Sequence, residues 1–234
     1  MQITRCNTVE ELNELASDLL VYEIKQNPQS LICAATGNSP TVIYKKLAEK
    51  QFGIVVAHLT FIKLDEWYGL GADDTGSCEH YLQKNVLKPL QISDDRVISF
   101  DGKTPDPDKE FQRVRKYLDD NGPIDLCILG LGANGHIAFN EPADTLEPQP
   151  HLAVLSEASL SHKMISGSGA DLKYGMTLGM ADILQSKKII LPVFGKSKRA
   201  VMEKLMEGKI STDLPASFLW LHPDVHCFYC ENDS

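Results

Sequence analysis

The sequence predicts an α/β fold: a single domain over residues 1–234, built on a mainly parallel, Rossmann-like sheet with helices on both faces. Three observations carry that expectation. Apolar runs of strand length, such as Ser30 to Ala35, 124–129 and Lys188 to Phe194, are near-continuous, as strands buried on both faces require. Segments of helical period alternate with them. The chain, at 234 residues with 43% hydrophobic and 24% charged content, is long enough for one sizeable core and shows no repeat, low-complexity tract or linker.

The elements follow in order. Thr8-Val9-Glu10-Glu11 is a capping box, and Leu12, Leu15, Ala16, Leu19 and Leu20 carry a helix towards Asn27-Pro28. After the strand Ser30 to Ala35, Pro40 fits a first helical position with Ser39 as its cap. His58 to Leu64 reads as a strand, Ser77 to Leu90 as helical, Arg96 to Phe100 as extended and Asp108 to Asp120 as helical. The strand 124–129 leads into a proline-rich loop. A weak strand, Leu152 to Leu155, precedes a Gly-Ser stretch at 166–169. Lys188 to Phe194 is a strand, Ser197 to Glu207 a helix stopped by Gly208, and 225–230 the last strand.

The net charge of −9 supplies no basic field, which argues against nucleic acid or an acidic membrane as partner while leaving room for a local basic pocket. The longest apolar runs are strand-sized and the N-terminus has no signal-peptide core, so a cytoplasmic protein is expected. The six cysteines, at 6, 33, 78, 127, 227 and 230, are expected to be reduced and buried. Cys227 and Cys230 form a lone CxxC preceded by His222 and His226, but residues three apart in a strand point to opposite faces, which weighs against a metal site.

In parallel sheets of this kind ligands bind at the carboxyl ends of the strands. Four loops there carry chemistry. In Thr36-Gly37-Asn38-Ser39-Pro40-Thr41 a glycine precedes a helix start whose free N–H groups favour an anion, although a plain turn accounts for the segment equally well. Leu64-Asp65-Glu66-Trp67-Tyr68-Gly69 sets two carboxylates beside two aromatic rings, a setting that raises a carboxylate's pKa for general-base work; a solvated acidic turn is the blander reading. Gly130, Gly132 and Gly135 have dinucleotide-loop spacing, but Pro142, Pro148 and Pro150 forbid the helix that such a loop needs. A catalytic loop around His136, bracketed by Asn134 and Glu141, is expected instead. Gly195-Lys196-Ser197-Lys198-Arg199 places three cations against a helix dipole, which an anionic ligand would explain, although a solvated basic turn accounts for the segment equally well. Together these suggest a small phosphorylated substrate, a carboxylate base and a histidine shuttle.

Asp65-Glu66-Trp67, Gly130 to Pro142 with its Gly-His-Ile-Ala-Phe-Asn-Glu-Pro run, and Gly195 to Lys198 resemble the glucosamine-6-phosphate deaminase (glucosamine-6-phosphate isomerase) family, through nearly the whole chain. The related 6-phosphogluconolactonases share the glycine-histidine opening but not Phe-Asn-Glu-Pro. The resemblance implies conversion of glucosamine 6-phosphate and water into fructose 6-phosphate and ammonia, with no cofactor and no metal, in amino sugar catabolism. It implies that His136 opens the ring, that Asn134 and Glu141 position and tune it, and that Asp65 moves a proton from carbon 2 to carbon 1. Gly37, Asn38, Ser39 and Lys198 would hold the phosphate.

The chain departs from the family in three ways. Many members carry an aspartate where this chain has Asn134, so more of the charge stabilisation falls to Glu141. Members often use an arginine for the phosphate in the segment corresponding to 156–164, where this chain offers only Lys163. Longer members extend past this C-terminus and use that region for allosteric activation, which is not expected here; the oligomeric state lies between monomer and hexamer, the monomer favoured. The segment 142–175, rich in Pro, Gly and Ser, is expected to act as a lid. The alternatives are a lactonase needing His136 but no carbon-acid base, and a transcription-controlling sugar-phosphate sensor, for which no helix-turn-helix or basic face is present.

Overall fold

The computed structural model describes residues 1–49, 56–161, 165 and 172–233. In chain order the elements are β1 (Gln2–Arg5), α1 (Val9–Gln26), β2 (Leu31–Ala34), α2 (Asn38–Glu49), β3 (Thr60–Lys63) and β4 (Asp65–Trp67). Then come α3 (Cys78–Leu82), which runs through a π-helical turn Gln83–Leu87 into Lys88–Leu90, β5 (Val97–Ile98), α4 (Pro107–Asn121), β6 (Leu126–Ile128) and β7 (His151–Val154). The last are α5 (Glu157–Leu160), β8 (Tyr174–Thr177), α6 (Met180–Leu184), β9 (Lys188–Phe194), α7 (Arg199–Met206) and β10 (Val225–Cys230).

Thr8 caps α1 as the sequence predicts, its hydroxyl accepting from the Glu11 N–H at 3.1 Å. The Glu11 carboxylate reaches one residue further back than a standard box, accepting from the Asn7 N–H at 2.7 Å. Leu12, Ala16, Leu20 and Ile24, spaced by four, form the fully buried stripe of this helix.

Seven strands pair in the order β1-β10-β9-β6-β2-β3-β5, every pair parallel. Period-two alternation divides their side chains between two cores. Cys33, Cys127, Ile189, Leu191 and Cys227 pack on one face, while Ile32, Ala34, Ile128, Ile190 and Cys230 pack on the other. Both faces are apolar, so both are covered, and the strands read as unbroken hydrophobic runs for that reason. Cys227 and Cys230 accordingly lie on opposite sides of the sheet. All six thiols are free and buried.

A second sheet of three antiparallel strands, β4-β8-β7, was not expected. Residues 64–69 are not a loop: Asp65–Trp67 form β4, with Asp65 opposite Thr177 and Trp67 opposite Gly175. A three-residue strand has no periodicity of its own, and its pairing comes from β8, which the sequence reading also missed. Helix α2 starts at Asn38, so Ser39 is inside the first turn rather than its cap. Gly37, at φ +114°, makes the preceding bend, and Pro40 is tolerated because N–H groups of a first turn have no intrahelical acceptor. The Gly-Ser stretch 166–169 and Lys163 lie outside the described residues. Among the described residues, no helix is long and apolar enough to cross a membrane.

Strands β9, β6, β2 and β3 are consecutive neighbours and parallel, so the four chemically endowed loops emerge side by side at one edge. Strand order reverses between β6 and β2, the place where open α/β sheets leave a crevice.

Candidate active site

A cavity of about 570 Å³ fills that crevice. Gly37, Asn38 and Ser39 line it from the end of β2, Asp65 from the end of β3, His136 from the loop after β6, and Lys198 from the loop after β9. Six of the eight residues singled out from the sequence therefore share one space. The other two, Asn134 and Glu141, are joined to His136 by hydrogen bonds.

The loop after β6 is shaped to return Glu141 to His136. Ala138 takes a left-handed conformation at φ +54°, and a bridge between Ile137 and Asn140 closes the turn. The Asn140 amide ties it down, donating to the Ile137 and Leu178 carbonyls at 3.1 and 3.0 Å. Glu141 Oε2 then lies 3.1 Å from His136 Nδ1. Asn134 does not touch the imidazole. Its Nδ2 donates to Glu141 Oε2 at 2.8 Å, and its Oδ1 accepts from the His136 backbone N–H at 3.2 Å. An amide suits this place, because a carboxylate there would face Glu141 as a like charge.

Two serines that the sequence reading did not single out complete the shell. The Ser156 hydroxyl donates to Glu141 Oε1 at 2.9 Å, and the Ser159 hydroxyl donates to the same oxygen. Burial works to raise the Glu141 pKa, but the hydrogen bonds from His136, Ser159 and Asn134 outweigh it and hold it at about 2. Glu141 is thus an acceptor only, so His136 Nδ1 carries a proton and its Nε2 is the nitrogen left for chemistry. The ring lies directly on Gly132: a Cβ there would sit 2.5 Å from Cδ2, Cε1 and Nε2.

Asp65 is 8% exposed, and its pKa is raised to about 7. Burial is the main cause and the Glu66 charge adds to it; the Cys78 thiol, His136 and Lys63 act in the opposite direction. Cys78 Sγ lies 3.6 Å from Asp65 Oδ1. Apolar cover comes from Trp67 and Phe139, whose ring centroids are 4.6 Å apart. A carboxyl poised near neutrality can both take and return a proton.

Glu66 has a structural place. Its oxygens accept from the N–H groups of Trp67, Cys78 and Glu79, and Lys63 Nζ donates to Oε2 at 2.8 Å. Burial disfavours the Lys63 ammonium, yet Glu66 and Glu79 outweigh it and raise its pKa.

From the loop after β9, Lys198 Nζ donates to the Leu131 carbonyl at 2.6 Å, leaving further donors for a ligand; burial lowers its pKa. The Gly37 carbonyl accepts from the Thr41 hydroxyl at 2.6 Å and the Tyr81 hydroxyl at 2.9 Å, which fixes the bend before α2. Gly195 and Ser197 also line the cavity. The arrangement joins an anion-binding wall, a carboxyl base and a histidine of defined tautomer.

The chain as a whole is similar to known proteins. A family model described as glucosamine-6-phosphate isomerases/6-phosphogluconolactonase matches residues 4–227. A protein of Escherichia coli (strain K12) named "Putative deaminase AgaI" is 39% identical over 218 residues, covering 92% of this chain and 86% of its own. Glucosamine-6-phosphate deaminase 1 of Bacillus subtilis (strain 168) is 33% identical over 229 residues, covering 96% of this chain and 95% of its own. A solved structure of a monomeric glucosamine-6-phosphate deaminase superposes with a TM-score of 0.92 at 32% identity, covering 98% of this chain and 97% of that one.

Proposed function

We propose, on the premise that this chain belongs to the glucosamine-6-phosphate isomerase/6-phosphogluconolactonase family, that it is a deaminase converting glucosamine 6-phosphate and water into fructose 6-phosphate and ammonia. The observation that carries this reading is Asp65: a buried carboxyl with a pKa of about 7 that shares one cavity with His136 and Lys198. Lactone hydrolysis needs no carbon-acid base, whereas aldose–ketose isomerisation does.

In this reading the phosphate rests on Gly37, Asn38, Ser39 and Lys198, where helix N–H groups and an ammonium favour an anion. His136 Nε2 takes the proton of the anomeric hydroxyl and delivers it to the ring oxygen, opening the pyranose. Glu141, held ionised and oriented by Asn134, stabilises the imidazolium formed in between. Asp65 as carboxylate removes the proton on carbon 2 and, now neutral, returns it to carbon 1, while the oxygen on carbon 1 takes up a proton from the amine. The nitrogen on carbon 2 is then an imine, which water cleaves to the ketone and ammonia. No residue described here has to supply a redox equivalent.

Of the segment 142–175 read as a lid, 162–164 and 166–171 lie outside the described residues, while Ala158 and Ser159 line the cavity, which supports closure over the bound sugar by the part around α5. Protection of this segment from hydrogen exchange by a substrate analogue is the expected result. A monomeric, cytoplasmic enzyme of amino sugar catabolism is the corresponding setting.

The test follows ammonia and fructose 6-phosphate from glucosamine 6-phosphate, with other 2-amino-2-deoxyhexose 6-phosphates in parallel. Wild type is expected to release both products, and Asp65→Asn and His136→Gln to release each at least about a hundredfold more slowly. A wild type silent on glucosamine 6-phosphate but active on another amino sugar phosphate would correct the substrate. One silent on all of them would end the assignment.

A further inference from the structure

We propose that Cys78 is a positioning residue for Asp65: its thiol, set between Thr36 and the carboxylate, fixes the orientation of the base and favours its ionised form. The inference rests, for its activity arm, on Asp65 being the proton carrier of the reaction proposed above.

The geometry is a short chain of hydrogen bonds linking three elements. Thr36 Oγ1, just after β2, donates to Cys78 Sγ at 3.5 Å, and Cys78 Sγ donates to Asp65 Oδ1 at 3.6 Å. The thiol has a fixed address. Cys78 opens α3, its backbone N–H is held by Glu66 Oε1 at 2.9 Å, and the preceding Ser77 caps the helix by accepting from the His80 N–H at 2.9 Å. Glu66 therefore acts on Asp65 by two routes: its charge opposes ionisation, while its grip on the Cys78 backbone places a donor that favours it.

Thiols donate weakly, so the proton must stay on sulfur for the device to work. Burial raises the Cys78 pKa well above the ordinary thiol value, with Glu66 and Asp65 adding to the effect. Cys78 is 1% exposed and remains a donor throughout the range in which Asp65 titrates. The other groups that act on Asp65 are Glu66, Lys63 and His136, and the Cys33 thiol and Tyr44 hydroxyl also interact with its charge. The last two are kept neutral by burial. Because Thr36 begins the loop proposed to hold the phosphate, the same chain joins the anion wall to the base.

The experiment compares the pH dependence of kcat in wild type, Cys78→Ala and Cys78→Ser, with thermal melts confirming folding. Loss of the donor in Cys78→Ala is expected to move the acid limb upward by about half a pH unit, which is about a threefold loss of relative rate well below the midpoint. The serine variant, which keeps a donor, is expected to hold its limb at or below that of wild type. A Cys78→Ala limb superimposable on wild type would overturn the proposal. An infrared arm needs no turnover: the S–H stretching band lost in the variants is expected to shift in wild type as Asp65 ionises, and not to shift in Asp65→Asn. A band indifferent to pH would overturn the proposal even if the substrate assignment stood, whereas a responsive band would sustain it even if glucosamine 6-phosphate proved not to be the substrate.

Discussion

Asp65 and Glu66 leave β4 on opposite faces, so that one carboxylate lines the 570 Å³ cavity while the other lies 2.8 Å from Lys63 Nζ. Adjacent acids thus have separable duties. Asp65→Asn is expected to lower kcat by about 10²–10⁴ without any loss of stability at neutral pH, since it removes a buried charge. Glu66→Gln leaves a buried ammonium without its nearest counter-charge and is expected to cost about 3 kcal/mol in urea unfolding. Equal losses of stability in the two variants would contradict this division.

Stability should also record the strain of ionising Asp65. Its folded pKa of about 7 lies above the ordinary aspartate value, so no penalty exists below that ordinary value, and the penalty is complete once pH passes about 7. Asp65→Asn is expected to be more stable than wild type at alkaline pH, by roughly 2–4 kcal/mol, and to match it in acid. Denaturant titrations at both pH values measure this, and a difference that does not change with pH would refute the raised pKa.

Gly132 is where the imidazole rests, since an added Cβ would sit 2.5 Å from three ring atoms. Gly132→Ala is expected to displace His136 and lower kcat by at least about tenfold, because small displacements of a proton-transfer group are costly. Circular dichroism should stay native, and KM should change less than kcat.

Lys198 meets the proposed phosphate rather than the reacting carbons. Lys198→Ala is expected to raise KM by about tenfold or more, consistent with loss of one charge-assisted contact, while kcat at saturation changes much less. Because burial lowers the Lys198 pKa, wild-type KM is also expected to rise as pH rises and the ammonium discharges, a trend absent from the variant. Steady-state kinetics across alkaline pH reads both effects.

Local sequence was enough for much of the architecture. Unbroken apolar runs such as Lys188–Phe194 are strands because both sheet faces are covered, and Thr8 starts a helix because its hydroxyl satisfies an otherwise free N–H. Period two alone separated Cys227 from Cys230. The glycines and prolines around His136 marked a loop rather than a nucleotide fold. Parallel pairing then put the ends of β9, β6, β2 and β3 at one edge, as the alternation of strands and helices had implied.

Side-chain direction was decided elsewhere. Asp65 faces the cavity because β4 pairs with β8, with Asp65 opposite Thr177, and no local pattern announces that partner. Ser156 and Ser159 reach Glu141 across 15 and 18 residues, and Cys78 reaches Asp65 across 13, from segments that look ordinary by themselves. The sequence by itself determined which residue types stand at the strand ends. Only the tertiary structure decided which of them are buried, paired and shifted in pKa, because desolvation and hydrogen bonding depend on neighbours brought together by folding rather than by order along the chain.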